Sequence, residues 1–250
     1  MKEKFYTIKN NISNKAIDIF VYGEIISGSE KWDESDVTFL DFKNKLDSLV
    51  GDETINLYIN SIGGSVFTTQ GIIAMLQRAK EKGVTINSYI DGIGASCASF
   101  LPLVADDVYI YKSSMMMVHK PFGICIGNSK DLLERAEMLD KIENSVMMPL
   151  YMSKVKEGIT EEYVQSLINK ETWLDSKEIS DLFDVVVLEN DKELVACVKD
   201  KSILDNYKNV PQSLLSKLEN IIDDTKAEEA QAKQNKIELL KAKMELELEL

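Results

Sequence analysis

Histidine is almost missing from this chain: one residue, His119, among 250. A His-rich metal centre is therefore excluded, and any zinc site would have to join His119 to Cys97, Cys125 and Cys197, which lack paired ligand spacing. No metal and no cofactor are expected. Three cysteines, odd in number and far apart, fit a reducing, cytoplasmic compartment better than a disulfide framework. Apolar runs stop short of the roughly 18–20 residues of a membrane span. Residues Met1 to Asn14 contain no apolar stretch of signal-peptide length. Basic residues are also in deficit, 29 against 42 acidic, for a formal charge of −13. Such a chain lacks the basic footprint that phosphate backbones require, so nucleic acid is not an expected partner.

What is present is an ordinary hydrophobic share, 44%, in a chain long enough to build a core without staples. Two textures divide it. Residues 1–200 hold every aromatic except Tyr207 and carry −11 of the charge, whereas residues 201–250 are nearly balanced at −2. The expected organisation is a folded domain over 1–200 and a charged helical extension over 201–250. In the extension, Pro211 opens a helix, and residues 223–250 form a coiled coil or a mobile tail.

Within the body, β-branched runs at Ala16–Tyr22, Thr54–Ile59, Val84–Ile90 and Val108–Tyr111 read as strands. Helical spacing occupies Asp36–Leu49, Val66–Lys82 and a long stretch from Lys130 to about Lys154, with Leu132, Leu133, Ala136, Leu139, Ile142 and Val146 as its stripe. Asp175 with Glu178 has the spacing of a capping box, followed by a strand at Val185–Leu188. Strands alternating with helices indicate the α/β class.

Four segments have residue types suited to chemistry, and each also has a plain structural reading. Tyr58–Ser65 runs a strand into Gly63 and Gly64, which allow close approach of backbone N–H groups to a ligand or simply make a tight turn. Asp91–Ser99 surrounds Ser96 with small residues, as a nucleophile elbow needs and as a close-packed helix start also would. There the N–H of Cys97 could help hold an oxyanion. Ser113–Gly123 ends an apolar strand at His119 beside a Pro-Gly loop, a position open to either a structural or a catalytic histidine. Lys170–Asp175 offers two acids. Asp175 is explained by capping, which leaves Glu171 to orient His119.

The order and spacing of these segments resemble the proteolytic subunit of the Clp protease over roughly Ala16–Leu188. The matching motifs are Tyr-Ile-Asn-Ser-x-Gly-Gly at Tyr58–Gly64, the serine elbow at Gly94–Ser99, Met-Val-His-x-Pro at Met117–Pro121 and Glu-Thr-Trp-Leu at Glu171–Leu174. Tyr22–Ile25, Ser27–Ser29 and Trp32–Thr38 look like the phage and prophage head-maturation branch, in which Glu can replace Asp as the third member. Three positions depart from the housekeeping pattern: Ile62 for Pro, Cys97 for Met and Glu171 for Asp.

The resemblance implies a crotonase-like ββα spiral and serine endopeptidase activity. Ser96 would be nucleophile, His119 base and Glu171 its orienter, with an oxyanion hole at the N–H groups of Gly64 and Cys97. A polypeptide would lie as an added strand against Gly63, Ser65 and Val66 on one side and Phe122 and Gly123 on the other. It also implies a homo-oligomeric ring contacting its neighbour through the long helix after Lys130. The expected substrates are capsid or scaffold proteins in the host cytoplasm or assembling head, with an AAA+ unfoldase as a less expected partner. A catalytically silent scaffold with the same fold, or an acyl-CoA enzyme of the crotonase type, are the other readings.

Overall fold

Strand residues alternate between faces, so a half-covered sheet imposes a period of two on burial. Ala16–Val21 follows it, with Ile17, Ile19 and Val21 buried and Asp18 and Phe20 turned outward. The computed structural model describes residues 8–11, 16–28, 30–31, 36–47, 49, 51–189, 204 and 207–216. The expected coiled coil or tail over 223–250, and the motif residues 32–35, lie outside the described residues.

The elements in chain order begin with β1 (Ile8–Asn11), β2 (Ala16–Val21), β3 (Glu24–Ile25), α1 (Phe39–Leu46), β4 (Thr54–Ser61) and β5 (Gly63–Gly64). They continue with α2 (Val66–Glu81), β6 (Thr85–Ala95), β7 (Asp107–Tyr111), β8 (Met115–Val118) and α3 (Ser129–Ile142). The last are α4 (Met148–Met152), α5 (Glu161–Lys170), β9 (Thr172–Leu174), α6 (Ser176–Leu182) and β10 (Val186–Leu188). The main sheet runs β1-β2-β4-β6-β7-β10, parallel except for β1. Its inner face and the helices enclose one large apolar cluster that includes Ile19, Leu57, Ile86, Leu76, Phe42 and Tyr151. On the outer face Phe20, Tyr58, Tyr89 and Tyr109 stack in register across four strands, with ring centroids 4.8–4.9 Å apart. Each such pair adds about 0.5–1.5 kcal/mol beyond its burial.

The strand expected at Val84–Ile90 continues to Ala95, because its second half finds a different partner. Ile59 pairs with Ile90, but Ser61 pairs with Gly94, so β6 carries two extra residues at a bulge. The Ile93 N–H exposed there is satisfied by Asn60 Oδ1 at 3.0 Å. Beyond the bulge, Ile93–Ala95 pairs with Met115–Met117 of β8, which pairs in turn with β9. A second apolar cluster forms at this corner from Ile62, Ile93, Ala95, Met117, Trp173, Leu204 and Leu214.

Two helices differ from their sequence patterns. α1 starts at Phe39, not Asp36, because Thr38 and Asp41 form a capping box and Val37 bridges Ile25. The long helix expected from Lys130 to Lys154 is interrupted by a π turn at Glu143–Met147, just ahead of Pro149, which has no N–H to continue the α ladder. Its expected apolar stripe is also only partly buried. Of its members only Ile142 is buried, Leu139 and Val146 are half-buried, and Leu132, Leu133 and Ala136 stand in solvent. The capping box of Asp175 and Glu178 opens α6 as its spacing predicts. Among the described residues no helix is long and apolar enough to cross a membrane.

Candidate active site

Among the described residues only two besides glycine adopt the left-handed backbone region, Ser96 (φ 54°) and Glu171 (φ 52°). Each conformation costs roughly 1–2 kcal/mol for an L-residue, so surrounding structure must hold it. Both residues face the same histidine.

Ser96 stands where β6 ends and a short 3-10 turn, Ser96–Phe100, begins. Ser99 Oγ donates to the Ser96 carbonyl at 2.6 Å and lies 2.8 Å from the Tyr151 hydroxyl. Since Ser99 has one hydroxyl proton and spends it on Ser96, Tyr151 is the donor to Ser99. Complete burial raises the Tyr151 phenol well above its ordinary pKa, which keeps that proton in place. From the other side, Gly63 packs against the elbow. Its N–H donates to Ser61 Oγ at 3.1 Å, and Ser61 Oγ donates to the Gly23 carbonyl, tying the β4–β5 turn to the start of β3.

Burial pushes the Cys97 thiol up to about 11. A thiol in that state stays protonated at neutral pH and is a poor nucleophile.

His119 follows the last residue of β8 and is 7% exposed. Its Nε2 lies 2.7 Å from Ser96 Oγ, a hydrogen bond in which a neutral imidazole accepts. Burial lowers the His119 pKa, and the Glu171 carboxylate partly opposes this. The imidazole is thereby kept uncharged at neutral pH, the state in which its free nitrogen can accept a proton. The rings of Phe122 and Tyr207 meet it edge-on, each at 5.6 Å. The next residue, Lys120, is anchored by an ion pair at 2.8 Å to the buried Glu143 of the π turn.

Glu171 ends α5 as its left-handed cap. Antiparallel pairing of Val118 with Thr172 brings the residues just outside that pair, His119 and Glu171, alongside each other. Glu171 Oε2 is 3.9 Å from His119 Nδ1, an ion-pair separation longer than a hydrogen bond. The other oxygen, Oε1, accepts the backbone N–H groups of Lys208 and Asn209.

Ser96 and His119 open into a cleft of about 420 Å³, also lined by Gly64, Ser65, Val66 and Phe122. Gly63 and Gly123, expected on the substrate path, are not on its wall. Gly63 lies behind Ser96, and Gly123 abuts the Arg135 guanidinium. The facing wall, Glu24 to Gly28, was missed by sequence reasoning. Its signal was the two-residue β3, which pairs with Gly63–Gly64 and is too short to show a period. A larger groove of about 890 Å³ between α2 and α4 contains no histidine and no comparable serine–base pair.

A mostly parallel α/β body with an 11-residue strand that bends into a second, smaller pairing is the ClpP fold, a crotonase-like spiral. The chain belongs to the Clp protease family, whose model matches residues 1–185. A solved structure of a mutant ClpP1 from Listeria monocytogenes superimposes with a TM-score of 0.55 at 21% identity, covering 72% of this chain and 94% of that one. An ATP-dependent Clp protease proteolytic subunit from Pleurastrum terricola is 34% identical over 93 residues, which is 36% of this chain and 45% of that relative. The chain thus spans less than half the length of that curated relative.

Proposed function

We propose that this chain is a serine endopeptidase in which Ser96 attacks the scissile carbonyl and His119 takes its proton. His119 then returns the proton to the leaving amine, and Glu171 holds the imidazole tautomer and stabilises the imidazolium. The observation that carries this reading is the 2.7 Å contact of Ser96 Oγ with His119 Nε2 at the floor of an open cleft. The backbone N–H groups of Gly64 and Cys97 are assigned to the oxyanion, and Ser65, Val66 and Phe122 flank an extended substrate strand. The 3.9 Å gap at Glu171 is of the kind that tightens when substrate binds.

The finer role assigned is phage head maturation, with capsid or scaffold protein as substrate. It rests on the motif segment around Tyr22–Thr38 and on glutamate as third member. A homo-oligomeric ring is assigned as the working form. Exposed Phe122, Ile124, Ile126, Leu132 and Leu133 form an apolar ridge ahead of and along α3 that suits contact with another copy. An unfoldase partner is not required by this reading.

The test is a fluorophosphonate probe on the full chain, together with mass spectrometry of the capsid protein co-expressed with wild type or Ser96→Ala. Labelling at Ser96 and cleavage lost only in Ser96→Ala are expected. Failure of Ser96 to label in every oligomeric state would favour the silent scaffold instead.

A further inference from the structure

The feature that neither the motifs nor the proposed mechanism uses is the short segment after residue 204. It touches three separate parts of the site. Tyr207 donates its hydroxyl to the Ile62 carbonyl at 2.9 Å, immediately before the Gly63–Gly64 turn. The same ring packs edge-on against His119 and against Trp173. Lys208 and Asn209 give their backbone N–H groups to Glu171 Oε1, and the Asn209 side-chain amide donates to the carbonyls of Lys170 and Glu171 at 2.6 and 3.1 Å.

These contacts divide the Glu171 carboxylate between two tasks. One oxygen is held by the segment, and the other faces His119 Nδ1. The Asn209 amide supplies donors to the last carbonyls of α5, which the helix itself leaves unpaired, and so fixes the left-handed residue that bears the carboxylate. Leu204 and Leu214, buried in the second apolar cluster on either side, seat the segment on the body.

We propose that residues 207–209 form an intramolecular clasp that positions Glu171 against His119, with Asn209 and Tyr207 as positioning residues. The inference rests on the triad reading and deepens it. The region after residue 200 is then part of the catalytic unit, at least through its seat at Leu214.

The decisive variant is Asn209→Ala in the full chain, with Gln212→Ala, an exposed neighbour outside the clasp, as control. Asn209→Ala is expected to lower kcat about tenfold or more on a peptide substrate, with KM within about twofold. It should also move the acid limb of kcat in the same direction as Glu171→Gln. In a Glu171→Gln background the same change should add little, because the two act through one carboxylate. Equal costs in both backgrounds, or an unchanged kcat, would overturn the clasp. So would a lowered melting temperature with unchanged kcat at temperatures where the variant stays folded.

Since the chain has a single histidine, its ring nitrogens give a second readout that needs no turnover. In the Ser96→Ala chain, Asn209→Ala should shift the His119 ring resonances and its Nδ1–H tautomer population, and Gln212→Ala should not. A wild type that neither cleaves nor labels would sink the endopeptidase reading alone. The clasp would then stand or fall on whether those resonances move.

Discussion

Gly63 and Ser96 lie so close that a β-carbon on the glycine would stand 2.8 Å from the β-carbon of the serine. It would also stand 2.7 Å from the Ala95 carbonyl oxygen, at a φ of +95° that L-residues avoid. The glycine is thus what lets the β4–β5 turn press on the elbow from behind. Gly63→Ala combines backbone strain of about 1–3 kcal/mol with overpacking of about 1–3 kcal/mol. Gly158 has a similar φ of +88° but nothing within 4 Å of its added carbon, so Gly158→Ala meets the backbone cost alone. Urea unfolding should rank Gly63→Ala as the more damaging by at least 1 kcal/mol, with Ser96 labelling slowed only in that variant. Equal losses would mean the turn yields freely and does not brace the elbow.

The donor chain from Tyr151 through Ser99 to the Ser96 carbonyl predicts an order of costs. Tyr151→Phe removes one donor and leaves Ser99 still bonded to Ser96, a loss of about 1 kcal/mol. Ser99→Ala leaves the fully buried Tyr151 hydroxyl without its acceptor and also takes the side-chain donor from the Ser96 carbonyl, and should cost more. Calorimetry would check this, with each kcal/mol lowering Tm by about 2–4 °C in a chain of this size. The reverse order would contradict the assignment of Tyr151 as donor.

His119 predicts a pH dependence whose sign follows from its burial. The imidazole must be neutral to accept the Ser96 proton, and burial lowers its pKa below the ordinary histidine value, with Glu171 pulling the other way. The acid limb of kcat/KM should therefore fall below about pH 6.5. Glu171→Gln removes the upward pull, so the limb moves lower still while the plateau drops on the order of 10²–10⁴-fold. Stability follows the same linkage. The depressed folded-state pKa makes this contribution fully present above the unfolded value and lost as pH falls toward the folded one. A limb that moves to higher pH in Glu171→Gln would show that the carboxylate does not act on the imidazole.

The fold class and the candidate site residues were legible for different reasons. Alternation along Ala16–Val21 and the residue types of Gly94–Ser99 are local properties, so a single pass along the chain finds them. The bulge that sends β6 onto β8 depends on Asn60 reaching the Ile93 N–H from another strand, and no period records that. Leu132 and Leu133 follow a helical stripe yet are exposed, because periodicity shows that a face is apolar and not what covers it. The clasp was invisible for a plainer reason. Its contacts to the Glu171 carboxylate come from backbone N–H groups, which every residue but proline has.

That exposed ridge makes a last prediction. Ile124 and Ile126 are 92% and 96% exposed, and an apolar side chain so placed contributes almost nothing to the stability of an isolated chain. Ile126→Asp should therefore leave the unfolding free energy within about 0.5 kcal/mol of wild type when the chain is monomeric. If the ridge is buried between copies, the same change places an unpaired carboxylate in an apolar contact, a penalty repeated at every symmetric interface. Native mass spectrometry should then show the assembly reduced to smaller species, while the Ser96–His119 pair stays intact within each chain. An assembly of unchanged size and salt resistance in Ile126→Asp would remove the ridge from the interface and send the search to another face.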